Sequence, residues 1–371
     1  MRIGVDAKWY FEGPPSGKRV VKNLVDEILK TDTTDEFVIF LNAKHKHLPF
    51  PDHRSNIILC YIWAGNNFLS NLFVVPFYSK HYRVGAVLYQ NFISIFDRSN
   101  RIAYIHDVLF LSNPEYYTIY ERLYFAPLKF LTRRSDLIVT VSQEEKERLL
   151  HYGFSDSRDK IIVAYHGVDD SFHPLKDYKE SDVQKIKQTF LLPDSFLLYV
   201  GRLNLRKNID NLLRAIPLIQ HQTIPLVIVG ADDWKKSNHA VIIKSLGIED
   251  RVQFKGAIYK DLGIVYSMAT IFCFPSYAES FGLPPLEAMA CGVPVIVSNT
   301  TSLPEICGDA GNYITPDKPE EIAQAIDRLL NDMELYHKKI SLGLEQAKKF
   351  TWYSSVSVIL EGIRSITKKG V

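Results

Sequence analysis

Cysteine is scarce. The 371 residues contain four, Cys60, Cys273, Cys291 and Cys307, and no two stand at the paired spacing of a zinc site or a disulfide framework. Reduced thiols in a cytoplasmic protein are expected. Long apolar runs are missing as well, and the opening MRIGVDAKWY leads straight into a short strand without the basic and apolar regions of a signal peptide. Any association with a membrane is therefore expected to be peripheral. Strong charge is also lacking: the formal net charge is +2 and no concentrated basic stripe is visible, which argues against a nucleic-acid partner. Neither a fixed-period repeat nor a low-complexity tract occurs, so solenoids and disordered linkers are excluded.

What remains is an ordinary globular composition, 46% hydrophobic and 23% charged, in a chain long enough for two cores. Short apolar runs alternate with amphipathic stretches throughout, the pattern of parallel sheets covered by helices on both faces. The fold class is α/β. Strands are predicted at Arg2 to Val5, Phe37 to Leu41, Asn56 to Ile62, Ala86 to Tyr89, Arg101 to Ile105, Leu137 to Val141 and Ile161 to Ala164. A second series follows at Phe196 to Val200, Leu226 to Val229, Val252 to Phe254, Thr270 to Phe274, Pro294 to Val297 and Asn312 to Ile314. A helix is expected after Ser142, with Glu145 completing a capping box. Another starts near Pro319 and turns Ile322, Ala323, Ile326, Leu329 and Leu330 inward. The boundary is placed near residue 175, giving Rossmann-like domains at 1–175 and 176–350 and a final segment at 351–371. Ligands of such sheets sit beyond the carboxyl ends of strands, so the two domains are expected to face each other across a cleft.

Two segments of the second half carry charge at strand ends. GRLNLRKN follows FLLYV and puts Arg202 and Lys207 where two cations suit a diphosphate, with Arg206 the weaker candidate; the bland alternative is a solvated basic loop. FPSYAESFGLPPLEAMACGVPVIVS follows TIFCF and holds Glu279 and Glu287, with Gly282 between them. Gly282 lets the backbone approach a ligand, and the amides of Phe281, Gly282 and Leu283 are expected to cradle a phosphate at a helix start. If that helix begins near Pro284 or Pro285, Glu287 lies in its first turn and either complements the helix dipole or holds a ribose. The competing reading makes Glu287 a cap and Glu279 a surface charge.

GRLNLRKN followed by ESFGLPPLEAMACGVPV closely resembles the retaining family 4 glycosyltransferases of the GT-B fold, and among them bacterial mannosyl and rhamnosyl transferases of surface-polysaccharide synthesis. The resemblance extends over SQEEKERLLHYG, the loop HGVD and the terminal KKFTWYSSV. It implies that Arg202 and Lys207 neutralise the donor diphosphate, that Glu279 binds the transferred sugar and that Glu287 binds the ribose. It also implies that a helix at about Trp352 to Ile366 crosses back onto the first domain. GDP-mannose is the first choice of donor, with a dTDP- or UDP-linked sugar as runner-up. The acceptor implied is a saccharide, lipid-linked in the fullest reading, met on the inner face of the cell membrane.

In the first half, RIAYI runs into His106 and Asp107 at a predicted strand end. His106 can contact a sugar hydroxyl and the positive charge developing in the transition state; the alternative is a structural histidine with Asp107 capping a turn. GPPSGKRVVKNLV sets a glycine-containing loop before a helix, and Gly17 is the residue expected to approach a ligand, although Pro14 and Pro15 stiffen the loop relative to the family's paired glycines. The basic run Lys44 to His47 reads as a solvated loop, and the aromatics Tyr116, Tyr117, Tyr120, Tyr124 and Phe125 read as packing. No D-x-D element occurs, so a metal-independent transfer without any cofactor is expected, the cations and helix amides stabilising the leaving diphosphate. Two other classes compete: an epimerase or hydrolase of nucleotide sugars, and a non-enzymatic sugar-binding protein of two lobes.

Overall fold

The computed structural model describes residues 1–31, 33–231 and 239–367. Two compact units share the chain: Met1–Gly167 together with the chain from Thr351 onward, and Val168–Phe350. The break at Gly167 precedes the boundary read near residue 175, so the segment Phe172 to Leu175 counts with the second unit.

The first unit is built on β1 (Arg2–Asp6), β2 (Glu36–Asn42), β3 (Ile57–Ile62), β4 (Ala86–Gln90), β5 (Asn100–Tyr104), β6 (Leu137–Thr140) and β7 (Ile161–Val163). Their order is β3-β2-β1-β4-β5-β6-β7, and every pairing is parallel. Parallel strands covered on both faces need side chains that tolerate burial on either side, which is why Phe37 to Leu41 is buried without interruption. The helices used below are α1 (Pro15–Lys30), α2 (Val75–His81), α3 (Ile119–Phe125) and α4 (Gln143–His151). Helix α1 starts on a proline and buries Val20, Val21, Leu24, Val25, Ile28 and Leu29. The C-terminal helix Trp352–Thr367 counts with this unit and buries Val356, Ile359, Leu360 and Ile363. Its Arg364 reaches Asp35 at 2.6 Å, and the same carboxylate holds the N-terminal amine at 3.1 Å.

Ser142 caps α4 by accepting the Glu145 amide at 3.0 Å, but the Glu145 side chain does not turn back to complete the expected box. It is fully buried, accepts the Val108 amide at 2.6 Å and pairs with Arg148. The reason is that β5 delivers the His106–Val108 loop to α4, and the buried Val108 amide takes the carboxylate as its partner.

The second unit contains β8 (Leu197–Val200), β9 (Leu226–Val229), β10 (Val252–Phe254), β11 (Ile271–Phe274), β12 (Val295–Ser298) and β13 (Gly311–Ile314), in the order β10-β9-β8-β11-β12-β13 and again parallel. Helices α5 (Leu283–Ala290) and α6 (Pro319–Asn331) complete the set used here. Helix α6 buries Ile322, Ala323, Ile326 and Leu329 as its periodicity predicts, and adds Asp327, whose carboxylate accepts the Gln220 amide at 3.0 Å. Both sheets reverse their winding once, between β1 and β4 in the first and between β8 and β11 in the second. Connections on either side of such a reversal diverge, leaving a crevice at the carboxyl ends of those two strands.

One glycine fixes the second crevice. A Cβ on Gly230, just past β9, would stand 1.8 Å from the Gly201 carbonyl oxygen at the end of β8. Gly230→Ala is therefore expected to push the β8 turn away and to cost about 2 kcal/mol or more. Urea denaturation checks this, and an alanine variant as stable as the parent would refute the close approach.

Candidate active site

The turn after β8 is held by side chains that the sequence places at regular intervals. Asn204 caps the short turn Leu205–Lys207 by accepting the Lys207 amide at 3.2 Å, and Asn208 follows in the left-handed region with φ 57°. The Asn208 amide then donates to the carbonyls of Pro275 at 2.9 Å and Pro316 at 2.6 Å. Stitching continues from the β11 side, where the Tyr277 amide and the Ser276 hydroxyl donate to the Arg206 carbonyl at 2.9 Å and 3.1 Å. The turns after β8 and β11, the two strands flanking the reversal, are thus one rigid piece.

Glu279 lies at the centre of that piece. It is 7% exposed, and its Oε1 accepts from Lys207 Nζ and from the Ser276 hydroxyl, each at 2.6 Å. Arg206, which also donates to the Ala278 carbonyl, stands 3.1 Å from Oε2. Burial by itself would push the Glu279 carboxyl up, but Arg206 and Lys207 hold it well below the usual carboxylate range. Burial pulls the Lys207 ammonium down, Glu279 partly restores it, and Arg206 and Arg202 press it further down. Arg202 itself is exposed; its carbonyl accepts the Tyr199 hydroxyl at 2.9 Å and its guanidinium faces no carboxylate among the described residues. Arg206 and Lys207 against Glu279 leave one net positive charge in the buried cluster, and exposed Arg202 adds a second in the same turn. Each carboxylate oxygen accepts about two hydrogen bonds, so Glu279 Oε2, with Arg206 alone, retains room for a donor from a ligand.

The segment beyond Glu279 is pinned from β12. The Glu279 amide donates to the Thr301 hydroxyl at 2.9 Å, and the Ser302 hydroxyl donates to the carbonyls of Glu279 at 3.1 Å and Phe281 at 2.8 Å. The Phe281 ring is buried against Phe350, so only its backbone can serve a ligand. Gly282 has φ 116°, and a Cβ there would meet Leu303 at 2.9 Å. Helix α5 starts at Leu283, earlier than Pro284 or Pro285, because both prolines fit its first turn, where an amide hydrogen is dispensable. Glu287 consequently falls in the second turn, buried to 2%, and cannot complement the dipole as the first-turn reading required.

In the first unit, His106 follows β5 and its Nε2 lies 2.7 Å from Gln90 Oε1 at the end of β4. The ring stacks obliquely against Tyr104 at 4.6 Å and His166 at 6.2 Å, with Trp9 at 6.4 Å. It keeps a solvent-facing edge, yet the crowding of these rings desolvates it and pulls its pKa down to about 4. His106 is therefore neutral at pH 7, with Nε2–H donated to Gln90 and Nδ1 left as an acceptor. Asp107 accepts the Leu109 amide at 3.4 Å, the turn-capping contact weighed in the sequence. Gly17 does not stand in a loop: it is the third residue of α1, and a Cβ there would meet the Trp9 indole at 3.0 Å. Its smallness admits the Trp9 ring against the first turn of the helix. Beneath these residues Lys8 Nζ is buried between Asp6 Oδ1 and Asn71 Oδ1, both at 2.5 Å.

Comparison with known proteins follows the same division. The Glycosyltransferase Family 4 model matches residues 79–172, and the Glycosyl transferases group 1 model matches residues 181–345. The chain belongs to the glycosyltransferases of the GT-B fold. Among its relatives, the serotype-specific mannosyltransferase WbdA of Escherichia coli is 30% identical over 69% of this chain and 32% of its own length. The O-antigen chain mannosyltransferase B of Escherichia coli is 32% identical over 67% of this chain and 65% of its own length. The chain thus spans about a third of the first relative and just under two thirds of the second. Anabaena HepE, solved in complex with UDP and glucose, shares the fold with a TM-score of 0.75 at 19% identity, covering 98% of this chain and 100% of that one.

For this glycosyltransferase, the sequence weighs Arg206 only as a weaker cation for the diphosphate and does not disclose its contact with Glu279, nor the parts taken by Ser276, Asn208 and Gln90. Ser276 had a signal, three residues before Glu279 and just past a strand; Gln90 had none until β4 and β5 were known to be neighbours. Arg206→Ala or Lys207→Ala is expected to cost about 3 kcal/mol by leaving Glu279 buried with one of its two cations, whereas Arg202→Ala stays within about 0.5 kcal/mol. Chemical denaturation of the three variants measures it, and equal stability of all three would refute the ion cluster.

A second expectation concerns pH. The unfolded His106 titrates at about 6.5, above its folded value, so the unfolded chain takes the proton first. The stability it contributes is complete above pH 6.5 and is lost as pH falls towards 4, at about 1.4 kcal/mol per pH unit. Wild type should lose stability more steeply than His106→Gln between pH 6 and 5; parallel curves would contradict the buried neutral imidazole.

Proposed function

We propose that this glycosyltransferase moves mannose from GDP-mannose to a saccharide acceptor, with retention of the anomeric configuration and without a metal ion. The observation that carries the reading is the Glu279 cluster, one net positive charge from Arg206 and Lys207, with exposed Arg202 adding a second cation in the β8 turn, at the β8 and β11 ends. A nucleotide-sugar diphosphate carries two negative charges and gains a third as the sugar leaves, so a preorganised dicationic site stabilises the leaving group more than the ground state. Arg202, exposed and without a carboxylate partner, is the cation assigned to the diphosphate; Lys207 and Arg206 hold Glu279 ionised, and Glu279 Oε2 is assigned to a hydroxyl of the transferred sugar. Glu287 is assigned to the ribose, and the amides of Gly282 and Leu283 to the phosphates.

Acceptor recognition is assigned to the first unit, where neutral His106 presents Nδ1 as a hydrogen-bond acceptor beside Trp9 and Tyr104. In this reading the leaving phosphate accepts the acceptor's proton. Mannose is favoured because the relatives named above are mannosyltransferases. Their surface-polysaccharide setting supports a lipid-linked saccharide acceptor and work on the inner membrane face.

A thermal-shift screen of GDP-mannose, UDP-glucose and dTDP-rhamnose, each with EDTA, tests the donor. GDP-mannose at about a hundred times its dissociation constant should add about 2.7 kcal/mol, and Arg202→Ala should remove most of that gain. Stabilisation by a UDP- or dTDP-sugar but not by GDP-mannose would replace the donor. Turnover abolished by EDTA, or an inverted anomeric centre in the product by NMR, would overturn the mechanism.

A further inference from the structure

Exposed apolar side chains are not spread evenly over this protein. Eleven of the twenty-two large ones among the described residues lie between Trp63 and Phe130. The aromatics of residues 116–125, expected to pack, divide: Phe125 stacks on Phe110 and Phe92, while Tyr120 is 81% exposed. Helix α3 buries no residue, although Thr118 and Glu121 close a full capping box at its start. The Phe92 ring meets Tyr124 of α3 on one side and Phe68 on the other, each at 5.2 Å, so α3 borders the helical stretch that leads into α2. Further along that stretch Phe73 stacks on Phe96 at 5.5 Å, and Phe73, Phe77 and Phe96 are 56%, 68% and 58% exposed. Aromatic clusters of this kind on a water-facing surface mark an interaction site.

Charge identifies the occupant. From His53 to Phe96 the sequence contains no aspartate or glutamate, and the next carboxylate, Asp97, is buried under hydrogen bonds from Ser79 and Tyr89. Glu121 is turned onto its cap, leaving Glu115 as the exposed carboxylate between Trp63 and Phe130. Of the six lysines and arginines in the same stretch, Arg101 is half-buried and pairs with Asp136, whereas Lys80, Arg83, Arg98, Arg122 and Lys129 are exposed and none of the five pairs with a carboxylate among the described residues. Rings that enter an apolar layer, set among cations that meet a negative one, match the headgroup boundary of an anionic bilayer. No helix of the described residues is long and apolar enough to cross a membrane, so the attachment lies in the interface.

We propose that the face formed by α3, the stretch from Trp63 through α2, and the loop carrying Phe96 docks on an anionic phospholipid bilayer. The proposal gives a place to the lipid-linked acceptor of the preceding reading and rests on it for purpose, not for evidence. Full-length protein is sedimented with phosphatidylglycerol–phosphatidylethanolamine vesicles and with phosphatidylcholine vesicles. It should pellet with the anionic vesicles, at least tenfold less with phosphatidylcholine, and at least tenfold less when NaCl is raised from 50 to 500 mM. The exposed triple variant Phe73→Ser, Phe77→Ser, Phe96→Ser should unfold at the parent temperature and partition at least tenfold more weakly. Lys80→Glu with Arg98→Glu should lose the preference for anionic lipid. Wild type left in the supernatant with anionic vesicles, or a triple variant pelleting like wild type, overturns the proposal. So does a concentration-dependent dimer in sedimentation velocity that the triple variant abolishes while neither form binds vesicles, which would give this face to a second copy. GDP-mannose should protect the triple variant as it protects wild type, so failure of docking and failure of the donor reading are separately visible.

Discussion

A buried carboxylate organises the second unit. Taking Glu279 out of water costs several kcal/mol, and taking Lys207 out costs as much again; neither would stay ionised alone. Placed together, with Ser276 and Arg206 filling the remaining directions, they hold each other in place and fix the two turns that carry them. The carboxylate also permits cations to gather at one strand end without driving each other away. An anion arriving there meets charges already oriented, so little of its binding energy goes into rearranging the protein.

The same position in the first sheet has the opposite electrostatic character. Lys8 is buried at the end of β1, but Asp6 cancels it and Asn71 takes a further hydrogen, leaving a neutral pair. Around it stand Trp9, Tyr104, His106 and His166, rings that present edges, faces and neutral nitrogens. One topology thus serves two chemistries by what is set past the strand ends: a cationic cluster in the second unit, and in the first an aromatic surface with the half-exposed Asp107 carboxylate next to His106 in the chain. That contrast accords with a phosphorylated donor and an uncharged saccharide as the two substrates proposed.

The strands were legible because parallel β-structure buried on both faces leaves apolar runs with no competing interpretation, and each of the thirteen segments read from sequence is a strand within a residue or so of its expected ends. Side-chain direction was less legible. Glu145 follows a serine at capping distance, yet its partner is the Val108 amide, 37 residues away in sequence. Gly17 reads as a loop glycine ahead of a helix, yet it stands inside the first turn with Trp9 against it. Arg206 and Arg202 differ in the sequence only by position along one turn, and which of them faces inward depends on Asn208, whose left-handed backbone and two carbonyl partners set the curl of that turn. These outcomes are decided by contacts between distant segments, which no local pattern encodes.

The interruption of the first unit has a consequence for how the protein is made. Its sheet is complete by Val163, but the helix that covers β7 is synthesised only after the second unit: a Cβ on Gly362 would touch Ile162 at 2.5 Å, and Arg364 shares Asp35 with the N-terminal amine. On the ribosome the second unit emerges whole, while its predecessor waits with an uncovered sheet face until that helix has followed. The nascent chain therefore folds from the middle outward, and a truncation near residue 350 would leave the earlier-made unit, not the later-made one, as the substrate of chaperones and proteases.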